Sequence, residues 1–119
     1  MIDTSETTPL NPIPNTMTTA TAYSIPTAKQ AQLLTVAVNS SAISRLGIII
    51  DNDNMPHLLV IFKSNESKVY RYIFEDDLSS GAAFRWNQLI NDRDARNETS
   101  WGSMLHRALK HGDLETIDI

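Results

Sequence analysis

At 119 residues, with 41% hydrophobic and 20% charged side chains, the chain has the composition of one soluble globular domain rather than of a disordered or membrane protein. Fourteen acids against ten bases leave a net charge of −4, the wrong sign for affinity built on a broad cationic field over phosphates. With no cysteine, disulfides, thiolate metal sites and thiol nucleophiles are excluded.

The first stretch, residues 1–35, holds four of the five prolines, nine threonines and no glycine. Each proline fixes its own backbone and pushes the residue before it towards extended geometry, so PLNPIP should run as irregular or polyproline-like chain. Leu10, Ile13, Met17, Tyr23 and Ile25 are spaced along this arm as isolated apolar residues that an extended chain can set one by one into a partner's grooves. AKQAQLL supplies a short helical turn at its end. MIDTSETTP lacks the basic start and apolar block of a secretory signal, and no window reaches the roughly 18 apolar residues of a bilayer span. The expectation is a cytoplasmic protein that does not engage membrane.

From residue 36 to 119 the texture changes to that of a folded domain. RLGIIID, HLLVIFK and KVYRYIF read as three strands, separated by the polar turn DNDNMP and the connection SNES, and form an antiparallel meander. Glu75, Asp76 and Asp77 precede a helix in which Leu78, Ala82, Trp86, Leu89 and Ile90 recur at helical spacing, with Ser79 or Ser80 as its cap. A second helix begins near Ser100, carries the stripe Met104, Leu105, Ala108 and Leu109, and stops at Gly112. The fold expected is α+β: a small antiparallel sheet of about three strands with two C-terminal helices on one face, preceded by the extended arm. In the third strand Tyr70, Tyr72 and Phe74 share one face and Val69, Arg71 and Ile73 the other. The aromatic face is the one to bury against the helices, which leaves Arg71 on the wetter side.

The order of these segments resembles the KTSC domain, the short module found at the C-terminus of some lysyl-tRNA synthetases and alone in small bacterial and phage proteins. The resemblance covers roughly residues 36–112 and rests on Ser40-Ser41-Ala-Ile43, the Tyr70-Arg-Tyr72 pair, and Ser100-Trp-Gly102 opening the last helix. Those motif residues are read as structural. The last helix continues into an acidic end, DLETIDI, which weighs against carrying over the RNA binding suggested for the family.

Catalysis needs a constellation, and the chain offers none. His57, His106 and His111 have no ligand spacing on one helical face and are assigned surface or capping roles. Asp51-Asn-Asp-Asn54 starts like a calcium loop but lacks its glycine and closing glutamate, and is read as a turn. The four glycines are isolated and form no phosphate cradle. Neither a metal nor a cofactor is expected. The candidate nucleic-acid contacts are Arg45, Lys63, Lys68 and Arg71 around the sheet, with Tyr23, Trp86 or Trp101 as stacking rings. Net charge disfavours that use. The function expected is therefore a non-enzymatic interaction or assembly protein with a protein partner or a second copy, in host cytoplasm or as a minor component of a phage particle. The alternative is an RNA-binding accessory module of the KTSC type.

Overall fold

The computed structural model describes residues 25–117. Its first element, α1 (Ala28–Leu34), is built from good helix formers and opened by a capping box: Gln30 N–H donates to Thr27 Oγ1 at 3.2 Å, and Thr27 N–H donates to Gln30 Oε1 at 3.0 Å. Four further segments bring the chain into the sheet: β1 (Val36–Ala37), β2 (Ile43–Ile50), β3 (Pro56–Phe62) and β4 (Tyr70–Phe74). Helices α2 (Gly81–Asn91), α3 (Arg93–Glu98) and α4 (Trp101–His111) follow, and β5 (Leu114–Thr116) returns to pair with β4. The sheet is an antiparallel five-strand meander in the order β1-β2-β3-β4-β5.

Among the described residues, five strands and four helices replace the three and two expected. The acidic end does not continue the last helix. Gly112, at φ 80°, turns the chain out of α4, and Leu114, at 1% exposure, inserts into the core while Glu115 and Thr116 stay exposed. One inward leucine was enough to make a strand of a segment whose composition looked solvated. Ser80 stands at the N-cap of α2, one of the two serines expected there, but makes no side-chain cap bond, while Asp77 Oδ1 accepts the Ser79 N–H at 2.9 Å.

Sheet periodicity sorts the core. Leu58, Val60, Tyr72 and Phe74 face α2 and α4, where Trp86 and Trp101 are nearly sealed from solvent and lie with ring centroids 5.7 Å apart. The Trp101 indole N–H donates to the Arg96 carbonyl at 3.0 Å, so its burial leaves no polar group stranded. A register shift between Ile43 and Arg45 puts Ile43 on the same face as Leu46; regular alternation would have set them apart. Tyr72 and Phe74 thus pack inward as the strand's parity predicts.

The opposite face is also covered. Ala31 of α1 packs with Leu59, Ile61 and Val69 in a second cluster of buried residues. This close approach requires Gly47: a Cβ there would collide with the Leu34 carbonyl oxygen and come within 2.9 Å of the Thr35 Cα. Arg45 completes the joint, donating through Nε to Thr35 Oγ1 at 2.9 Å and through Nη2 to the carbonyls of Thr35 and Gln32, where a helix C-terminus favours a cation. The helical turn read within the arm segment is therefore a packed layer of the fold.

Two substitutions report on the two layers. Tyr72→Ala should cost about 3–5 kcal/mol by emptying an aromatic site between sheet and helices. Gly47→Ala should cost about 1–3 kcal/mol, because α1 must lift from the sheet to admit one methyl group. Urea unfolding measures both, and an unchanged Gly47→Ala midpoint would show that α1 is not seated as described.

Candidate functional site

The turn Asp51–Met55 and the second sheet face share one carboxylate. Asp51 Oδ1 accepts the N–H groups of Asp53 at 2.8 Å and Met55 at 2.9 Å, which tightens the hairpin, while Asn54 takes the left-handed conformation at φ 65°. Asp51 Oδ2 lies 2.7 Å from His57 Nε2, and Arg71 Nε lies 3.0 Å from His57 Nδ1. A guanidinium can only donate, so Nδ1 accepts and Nε2 carries the proton given to Asp51. The imidazole is neutral, engaged at both nitrogens and fully buried. It holds no lone pair ready for general-base work.

His57 is thus not the surface or capping residue expected, and Arg71 is a half-buried partner of it rather than a side chain on a wet face. Burial is the main cause that lowers the His57 pKa, with the Arg71 charge adding to it, against the opposing pull of Asp51. For Asp51 the largest single influence is burial, which raises its pKa, but the bonds from Met55, His57 and Asp53 together outweigh it and hold the carboxyl below its ordinary value. Among the described residues no group of three His, Asp or Glu side chains is arranged to hold a metal.

The motif residues converge. Ser40, Ser41, Ser100 and Gly102 line one polar groove of about 350 Å³ together with Asn39 and Thr99. Ser40 Oγ accepts the N–H groups of Ala42 and Ile43 at 3.2 and 3.1 Å and so shapes the start of β2. Asn39 ties the same loop to α3 through the carbonyls of Arg96 and Asn97.

The four candidate nucleic-acid contacts do not form a patch. Arg45 is engaged with the end of α1, Arg71 with His57, and Lys68 sits over the Tyr70 ring at 4.8 Å, leaving Lys63 exposed beyond β3. Trp86 and Trp101 are core residues with no face open to a base. Of the arm residues, Ile25 is 40% exposed, whereas Leu10, Ile13, Met17 and Tyr23 lie outside the described residues.

Among the described residues, an apolar surface with an open backbone lies along the outer edge of β2. Val36 and Ala37 pair with Leu46 and Arg45, and the residues before them belong to the end of α1, so among the described residues no strand flanks β2 beyond Leu46. Val38 N–H donates to the Ser44 carbonyl on this side, and Asp51 N–H to the Met55 carbonyl on the other. By alternation the backbone groups of Ile48 and Ile50 point outward. A groove of about 210 Å³ runs along this edge between Leu33 and Leu34 of α1 and Asn87 and Asn91 of α2, floored by Gly47 and Ile48. Leu33 is 89% exposed, Leu34 44% and Ile50 43%, and Phe84, on the α2 stripe of Asn87 and Asn91, is 42% exposed. From sequence RLGIIID reads as the first strand, with none before it, which gives no reason to single out its outer edge.

No protein-family model, curated protein or solved structure matches this chain.

The buried histidine gives a pH dependence of definite sign. Its folded pKa lies below the ordinary 6.5, so the unfolded chain binds the proton more readily and stability must fall as pH drops through 6.5 towards the folded value, then level off with respect to this group. Asp51 acts in the same direction lower down, its contribution being lost as pH falls from 3.8 through its depressed folded value. Chemical unfolding at pH 7.5 and pH 5 should show the loss, with a slope of at most about 1.4 kcal/mol per pH unit for one proton. His57→Gln should flatten the upper part of that profile; an equal slope in the variant would place the titrating group elsewhere.

Proposed function

We propose that this protein is a non-enzymatic interaction and assembly module whose partner is protein, engaged through the N-terminal arm and the domain surface around the β2 edge. The carrying observation is the apolar rim of that edge. A single exposed leucine is unremarkable, but Leu33 and Leu34 line a groove beside the outer edge of β2, and Ile50 is exposed further along that strand, a combination that suits an association surface. Among the described residues, the polar cluster Asp51–His57–Arg71 is directed inward, with both nitrogens of His57 engaged. The engagement of Arg45 and Arg71 within the fold also takes up two of the four basic residues considered for a phosphate backbone. The resemblance to solitary phage members suggests a minor component of a phage particle as the setting.

The arm supplies the reach. Its apolar residues are separated by prolines and threonines, a pattern suited to contact with a neighbour rather than to a core of its own. Light scattering on the full chain should show a defined oligomer, and a chain lacking residues 1–24 should be monomeric while keeping a cooperative unfolding transition, since α1 and all five strands remain. A full chain that stays monomeric at high concentration, and that recovers no partner when used as bait in its native host, would refute the assembly reading.

A further inference from the structure

We propose that the open edge of β2 receives residues Met17–Ile25 of a second copy as an added antiparallel or parallel strand, so that copies assemble by exchanging arms. This rests on the assembly reading above and names the surface and the segment that carry it. The receiving side is set by the fold: Ile48 and Ile50 present outward N–H and C=O groups, Leu33 and Leu34 wall the groove above the sheet, and Asn87 and Asn91 wall it below. None of the residues lining the groove is charged, although the chain as a whole carries −4. An occupant that brought a charge into it would meet no counter-charge and would lose hydration.

The segment Met17-Thr-Thr-Ala-Thr-Ala-Tyr-Ser-Ile25 meets that requirement. It is the part of the arm between Pro14 and Pro26 that carries neither proline nor charge, whereas Asp3 and Glu6 lie nearer the N-terminus. It also alternates. Met17, Thr19, Thr21, Tyr23 and Ile25 fall on one side of an extended chain, and Thr18, Ala20, Ala22 and Ser24 on the other. The larger side chains suit the leucine wall and the small ones the asparagine wall, while the backbone supplies the hydrogen bonds, as in recognition by strand addition.

A second copy is the donor that the chain's course favours. Ile25 lies before the N-terminus of α1, but the groove lies at the C-terminal end of that helix, about 10 Å away for seven residues. To fill its own groove the segment would have to reverse direction within the residues immediately before Ala28 and run back along the length of α1. Reaching outward to a neighbour needs no turn, and two arms exchanged about a twofold axis fill both grooves and close the assembly.

The natural chain has no cysteine, so engineered ones report without background. Ala22→Cys and Ile50→Cys chains, whose side chains fall on the same, α2-facing side of the paired strands, should form a disulfide-linked pair when oxidised as an equimolar mixture that neither forms alone. Independently, Ile50→Pro removes an N–H that faces away from β3, and Leu33→Asp alters a side chain that is 89% exposed, so both variants should fold. Each should raise the concentration of half-assembly at least about tenfold. Assembly that needs the arm but ignores both substitutions and yields no mixed disulfide would overturn the groove while leaving the assembly reading intact. A disulfide formed only when both cysteines are on one chain, at a rate independent of dilution, would overturn the second copy as donor. A full chain that does not assemble at all removes both.

Discussion

Everything in this fold follows from a central strand that cannot show either face to water. In β3, Pro56 through Ile61 are buried without interruption, and the residues alternate between the α2–α4 side and the α1 side. A sheet with such a strand at its centre needs a layer on each face. The C-terminal helices satisfy one, and only α1 satisfies the other among the described elements. Seven residues of helix are too short to be stable alone, so α1 depends on its docking: Ala31 against Leu59 and Ile61, the Leu34 carbonyl against Gly47, and Arg45 across its C-terminus. The small residues at 31 and 47 set how near the helix comes.

That dependence explains which parts of the fold could be read from the chain alone. The strands β2, β3 and β4, the helices α2 and α4, and the stop at Gly112 carry local signals, namely β-branched runs between turn residues and apolar positions at helical spacing. The inward direction of Tyr72 and Phe74 follows from parity. The second layer carried a signal too: HLLVIF does not alternate, which is the mark of a strand buried on both sides. Elements that owe their form to distant partners were the ones missed. β1 is two residues long and exists because β2 is beside it, α3 carries no buried residue, and β5 is a strand through Leu114 alone.

The same distinction holds at the polar network. Asp51 was legible as a turn residue, since an Asx turn is local, but the pairing of His57 with both Asp51 and Arg71 needs the β2–β3–β4 register to bring the three together. A histidine inside an apolar run has to find partners for two nitrogens, and an arginine on the adjacent strand offers one of them; in hindsight HLLVIF and YRYIF contain both ends of the bond. Arg45 follows the same logic, its charge meeting the carbonyls that end α1. Scattered bases on a sheet were thus half consumed by the fold before any partner could use them, and charge counting alone gives no view of that.

The two edges of the sheet are treated differently, and the contrast bears on function. β5 is short, and its exposed residues are Glu115 and Thr116, with Asp113 just before it: polar groups that discourage another strand from pairing there. The outer part of β2 has no such guard. Ile48, Ile49 and Ile50 run in succession, no charged residue intervenes before Asp51, and exposed leucines stand alongside. An apolar edge of this kind invites pairing with another strand, which is what the proposal of a defined occupant addresses. On the arm-exchange proposal the occupant is a proline-bounded, uncharged and alternating segment of a second copy, so that each chain would encode both the edge and what covers it.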